Sequence, residues 1–218
     1  MNIREPVGAA RWAAAGRPLV PSLLAGGVAS PILHASQLAA MLGLEAPSQP
    51  TATRLAWGSA AVMQGWVDLI RPLDFEKLTT PTPSRDRSLR NLTVNVFHPF
   101  ELLPAAFNTG RFDWDPDLDD LREQALTDAP AVVAYADERR ATWQSWLVER
   151  ERDLASRDPD VDSARGRLSY SNVLASQRWH AAYHYRQTLA FLGSRGHDLT
   201  GAYSLAAMAD LELPAEVF

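Results

Sequence analysis

Apolar residues recur at helical spacing in four long stretches of this chain. From Thr53 to Ile70, Leu55, Val62, Trp66, Leu69 and Ile70 follow that period until Pro72 ends it, and Thr51 or Thr53 is available as the N-cap. A second helix, capped by Ser88, carries Leu89, Leu92, Val96, Leu102, Leu103 and Phe107, with Pro99 expected to kink it near its middle. Asn108 to Pro116 reads as a turn-rich crossover, followed by a long amphipathic helix from Pro130 to Leu154 that presents Val133, Trp143, Trp146 and Leu147. Asp158-Pro159 and Gly166 interrupt the pattern before a fourth helix, Ser169 to Gly193. One further short helix is expected in the tail, His197 to Phe218. Four such helices with one long crossover between the second and third predict a mainly α fold, a helical bundle in which metal sites form from inward-facing side chains.

The N-terminal pattern is different. Two short apolar runs between Arg17 and His34, split by Gly26-Gly27, suit a β-hairpin, and a short helix from Ala35 to Leu42 should stop at Gly43. Pro47 to Pro50 reads as a linker. The expected organisation is an accessory module over residues 1–48 and a bundle with a C-terminal tail over 49–218. The module is expected to cover the mouth of the bundle or to supply a homodimer interface, with His34 incidental to the chemistry.

Composition narrows the function. The 218 residues are 46% apolar and 22% charged, the balance of a globular protein. No long uncharged apolar run predicts a membrane span, and no convincing leader precedes the first module, so a cytoplasmic location is expected. A formal charge of −5 argues against nucleic acid as a partner. Cysteine is absent, which excludes disulfides, thiolate metal sites and a thiol nucleophile from the chain itself; any sulfur chemistry must use a thiol from outside. Lys77 is the only lysine among 21 basic residues, a skew typical of G+C-rich genomes such as those of actinobacteria.

The candidate chemistry lies on the fourth helix. Val173, Gln177, His180, His184, Gln187 and Phe191 fall at steps of four, three, four, three and four, so they form one stripe, while Arg178 and Arg186 point elsewhere. The stripe begins and ends in apolar residues, which places its polar middle inside the bundle, where polar groups need partners. Two imidazoles at i and i+4 can converge on one cation. They can equally be interior histidines bonded to neighbouring carbonyls. His98 on another helix and Gln187 one turn on favour the metal.

The string Arg178-Trp-His-Ala-Ala-Tyr-His-Tyr-Arg-Gln187 resembles the His-x-x-x-His-x-x-Gln signature of DinB-like proteins, a four-helix-bundle superfamily that includes YfiT-like metal-dependent hydrolases and thiol S-transferases. The resemblance spans roughly Thr51 to Gly196 and extends to helix order, the long crossover and the helix capped at Ser88. The N-terminal module resembles the last third of a thioredoxin-like fold without its redox cysteines. The DinB-like resemblance implies a divalent metal, zinc foremost with nickel, iron or manganese as alternatives, held by His180, His184 and a histidine of the second helix. The family's third ligand falls where this chain has Asn95, with His98 one turn later. Imidazole is the better ligand for a transition metal, so His98 is taken as the third ligand with Asn95 close by.

Three neutral ligands would leave the metal open to a thiol or water, and the resemblance implies transfer of a low-molecular-weight thiol, such as mycothiol, to or from an electrophilic small molecule. Gln187 and Asn95 are candidates to orient the reacting groups. Arg87 and Arg90, with Arg85, are candidates to bind an anionic cofactor or substrate. Trp12, Trp57, Trp66, Trp143, Trp146 and Trp179 could line a pocket or simply fill the core. A metal-dependent hydrolase, a thiol-dependent isomerase and a non-catalytic binding protein remain alternatives on the same residues.

Overall fold

The computed structural model describes residues 6–16, 22–25, 28–31, 38–39, 41–45, 50–83, 87–115, 117–200, 202, 208, 211 and 213. The chain divides into two compact units, residues 1–49 and 50–218. The first contains helix α1, Pro6–Ala14, and an antiparallel pair, β1 (Ser22–Ala25) and β2 (Val28–Pro31), with Ala25 opposite Val28. That register leaves two residues to connect the strands, as expected for a hairpin around Gly26-Gly27, although the two glycines and His34 lie outside the described residues. The helix expected from Ala35 is described only in part.

The second unit is mainly helical. Helix α2, Ala52–Ile70, begins where Thr51 accepts a hydrogen bond from the Arg54 amide, and a single turn, α3 (Phe75–Thr79), starts at Asp74 in the same way. Ser88 caps α4, Leu89–Thr109, which continues through Pro99 and Pro104 and ends at Gly110 with φ +70°. A side chain at Gly110 would be strained in that left-handed conformation, and its Cβ would meet the Asp160 carbonyl at 3.1 Å. This turn leads into β3 (Arg111–Phe112), followed by α5 (Asp117–Gln124) and the long α6, Ala129–Ser156, capped by Asp128. Strands β4 (Asp160–Ser163) and β5 (Gly166–Ser169) then precede α7, Tyr170–Ser194, whose N-cap is Ser169.

Helices α2 and α4 each pack against both α6 and α7, so the four long helices enclose one core. Trp66, Trp143, Tyr170, Tyr185, Phe97 and Phe107 are its largest fully buried side chains. Both of its fully buried indoles are matched: that of Trp66 donates to Thr93 Oγ1 at 3.0 Å, and that of Trp143 to the Ala56 carbonyl at 3.3 Å, whereas the Tyr170 hydroxyl is buried without a partner. Most of the tail expected to carry a further helix lies outside the described residues, although Met208 is buried. Among the described residues no helix is long and apolar enough to cross a membrane.

Two features depart from the expected plan. The crossover contains the helix α5, and its strand β3 joins β4 in parallel, with Arg111 opposite Asp162, while β4 pairs with β5 antiparallel. The segment read only as an interruption is therefore part of a three-stranded sheet. That sheet lies against the ends of α4 and α7 and forms one wall beside the histidine stripe.

Candidate functional site

His180 and His184 sit together on α7, with ring centroids 4.6 Å apart and planes at 87°. Their environments differ. His184 is buried, and its Nδ1 lies 2.8 Å from Gln187 Oε1. An amide oxygen can only accept, so Nδ1 carries a proton. Gln187 thereby fixes the tautomer of His184, the support expected beside a ligating imidazole. His180 is half-buried, its ring 5.3 Å from that of Trp114, and its Nδ1 is buried without a hydrogen-bond partner. Desolvation holds its pKa well below the usual histidine range, reinforced by His184 and by the positive charges of Arg87 and Arg165. His180 is consequently neutral at neutral pH, the protonation state that a metal requires.

His98 occupies a different setting on α4. Its Nδ1 lies 2.7 Å from Asp119 Oδ1, and both side chains are only 3% exposed. A carboxylate accepts, so Nδ1 of His98 is again protonated. The second oxygen of Asp119 accepts from the Asn95 amide at 2.9 Å, and Asn95 Oδ1 accepts from the Arg87 guanidinium at 3.3 Å. Arg87, Asn95, Asp119 and His98 therefore form one continuous network, and the charge of Arg87 reaches His180.

The sequence-derived residues thus separate into groups. His180, His184 and Gln187 come together on one helix, while Asn95 and His98 come together through Asp119. The fit to a metal is good in donor chemistry: the set contains a neutral imidazole with an unpartnered nitrogen and two imidazoles whose Nδ1–H is held by an oxygen acceptor. Among the described residues, however, no group of three or more His, Asp or Glu side chains is gathered in a way that could hold a metal ion, so His98 does not close the set around the pair. Arg90 pairs with Glu123 at 2.9 Å and serves to dock α5, and Arg85 lies outside the described residues. Arg178 points away from the stripe but is buried, with its guanidinium packed over Gly58, where a Cβ would meet Nε at 2.6 Å.

Two residues of the site were not read from the sequence. Asp119 is one of several acids in a short polar helix, and nothing in its local pattern marks the acid that is 2% exposed. Trp114 was absent from the candidate aromatics, yet it is the tryptophan beside His180. Trp66 and Trp143 fill the core, and Trp57 and Trp179 are each 37% exposed. Comparison with family models, with curated proteins and with solved structures finds no match to this chain.

Proposed function

We propose that this chain is a divalent-metal-dependent transferase of a low-molecular-weight thiol to or from an electrophilic small molecule. His180 and His184 would hold the cation and His98 would complete its ligand set. The observation that carries this reading is the pairing of a neutral His180, whose Nδ1 has no partner, with a His184 whose tautomer is fixed by Gln187. The Asp119 carboxylate gives His98 the same support. When bound, the cation supplies positive charge that lowers the pKa of a thiol or a water molecule.

The remaining roles belong to the chain's own groups. Gln187 and Asp119 orient imidazoles, and Asn95 ties Asp119 to Arg87. Arg87 and Arg165 form no ion pair with the described residues, and both act on His180, so the region favours an anion such as a thiolate or a carboxylate. The thiol must come from outside, because the chain has no cysteine.

One observation favours a second reading, a metal-free binding protein: His98 is not gathered with the pair. Elemental analysis of the purified chain and zinc titration separate the two. The expected result is stoichiometric metal that is lost in His184→Ala and His98→Ala and kept in Asn95→Ala. Failure of the wild-type chain to bind zinc, or full retention in both histidine variants, overturns the metal site. Product analysis with and without added thiol then distinguishes transfer from hydrolysis, and an isomerase would return the thiol unconsumed.

A further inference from the structure

A cavity of about 60 Å³ lies between the three-stranded sheet and α7. Its wall is chiefly carbon, with Phe112, Trp114, Ala164, Leu168 and Val173 among the lining residues. Several of the polar atoms around it are already bonded or turned away. Ser163 Oγ donates to the Gly166 carbonyl at 2.9 Å and accepts from the Arg165 amide at 3.2 Å, within the β4–β5 turn. Ser176 Oγ accepts from the Arg165 guanidinium at 3.4 Å. The Trp114 indole nitrogen and Gln177 Oε1 have almost no accessible surface, so neither faces the cavity. A buried water needs about two to four polar partners, and an apolar cavity that lacks them stays dry and takes apolar ligands. The cavity also adjoins the candidate site: Val173 and Gln177 share the α7 stripe of His180 and His184, and the Trp114 ring lies 5.3 Å from that of His180.

We propose that this cavity is an apolar specificity pocket that receives an uncharged, branched alkyl end of the electrophilic substrate beside the histidine pair. At roughly 15 Å³ for each water-sized group, the space takes about four of them, the size of an isopropyl or isobutyl group. The pocket selects by carbon content. Each methylene that it takes in should tighten binding about fourfold, the effect of removing that surface from water. A polar group of the same shape gives up its hydration and finds few partners in return. Assigning the alkyl end to a substrate rests on the function proposed above, whereas its binding does not.

The test uses the full chain without added metal, with ¹³C-labelled methyl groups, titrated with 2-methylpropene and with acetamide, a polar molecule of the same branched outline. The Leu168 methyl resonances are assigned from their disappearance in Leu168→Ile. The expected result is saturable displacement of those resonances by 2-methylpropene and binding of acetamide weaker by about tenfold or more, the effect of burying an unmatched polar group. Ser176→Leu and Ala164→Leu fill the space from α7 and from the β4–β5 turn, and each should weaken the 2-methylpropene response about tenfold or more. Ala164 is exposed, so its variant leaves the core intact and keeps the test decisive if Ser176→Leu fails to fold. Acetamide binding equal to that of 2-methylpropene, an unchanged response in Ala164→Leu, or no displacement at the solubility limit of 2-methylpropene would each overturn the pocket. Zinc binding that survives such a failure leaves the metal reading standing. Binding of 2-methylpropene without zinc binding does the reverse.

Discussion

Helices α2 and α5 are held in the same unit by opposite kinds of contact. Helix α2 buries Leu55, Val62, Met63, Trp66, Val67 and Ile70, a continuous apolar face, against α6 and α7. Helix α5 turns its acids toward α4: Asp119 accepts from Asn95 and His98, and Glu123 accepts from Ser88, Arg90 and Asn91. Arg122 donates to Glu101, which also receives Tyr135 and Arg139 from α6. The leucines of α5 face the other way, with Leu118 45% and Leu121 64% exposed. A helix can therefore be docked through its polar side. The interaction is directional, so it also fixes which imidazole nitrogen of His98 carries the proton.

That contrast can be broken by mutation. The largest effect is expected at Trp66, which is fully buried: Trp66→Ala should cost about 3–5 kcal/mol through lost burial, a cavity and the lost hydrogen bond to Thr93 Oγ1, measured by denaturant unfolding. Asp119→Ala comes next. It leaves the Nδ1–H of His98 and the amide of Asn95 buried without their acceptor, so roughly 1–3 kcal/mol should be lost, together with the defined tautomer of His98 seen by imidazole ¹⁵N shifts. The smallest effect belongs to Leu118→Ser and Leu121→Ser, which should stay within about 0.5 kcal/mol because neither side chain is buried. If the leucine variants cost as much as Asp119→Ala, α5 is not held by its polar seam.

The same contrast explains what could be read from the chain. The apolar period located α2, α4, α6 and α7, and cap chemistry marked the start of α2 at Thr51 or Thr53, of which Thr51 is the cap, and that of α4 at Ser88. The stripe of His180, His184 and Gln187 was legible for the same reason, since residues one turn apart must share a face. Asp119 was not legible, because its partners stand 21 and 24 residues away and an acidic helix does not announce which acid turns inward. Strands of two to four residues, such as β3 and β4, are too short to show a period, although Val161 is fully buried. Trp114 was missed because those strands place it beside His180.

The parallel pairing of β3 with β4 bears on the order in which the molecule is assembled. Parallel neighbours need a long crossover, here supplied by α5 and α6, and the pairing of Arg111 with Asp162 closes a loop of roughly fifty residues. Phe112 and Trp114 come from one side of that loop, and Ser163 and Leu168 from the other. The wall of the cavity therefore consists of non-local contacts, whose closure entropy is met before they stabilise anything, whereas the histidine pair is local to a single helix. During folding, His180 and His184 acquire each other as α7 forms; the pocket beside them acquires its shape only once the ends of that long loop have met.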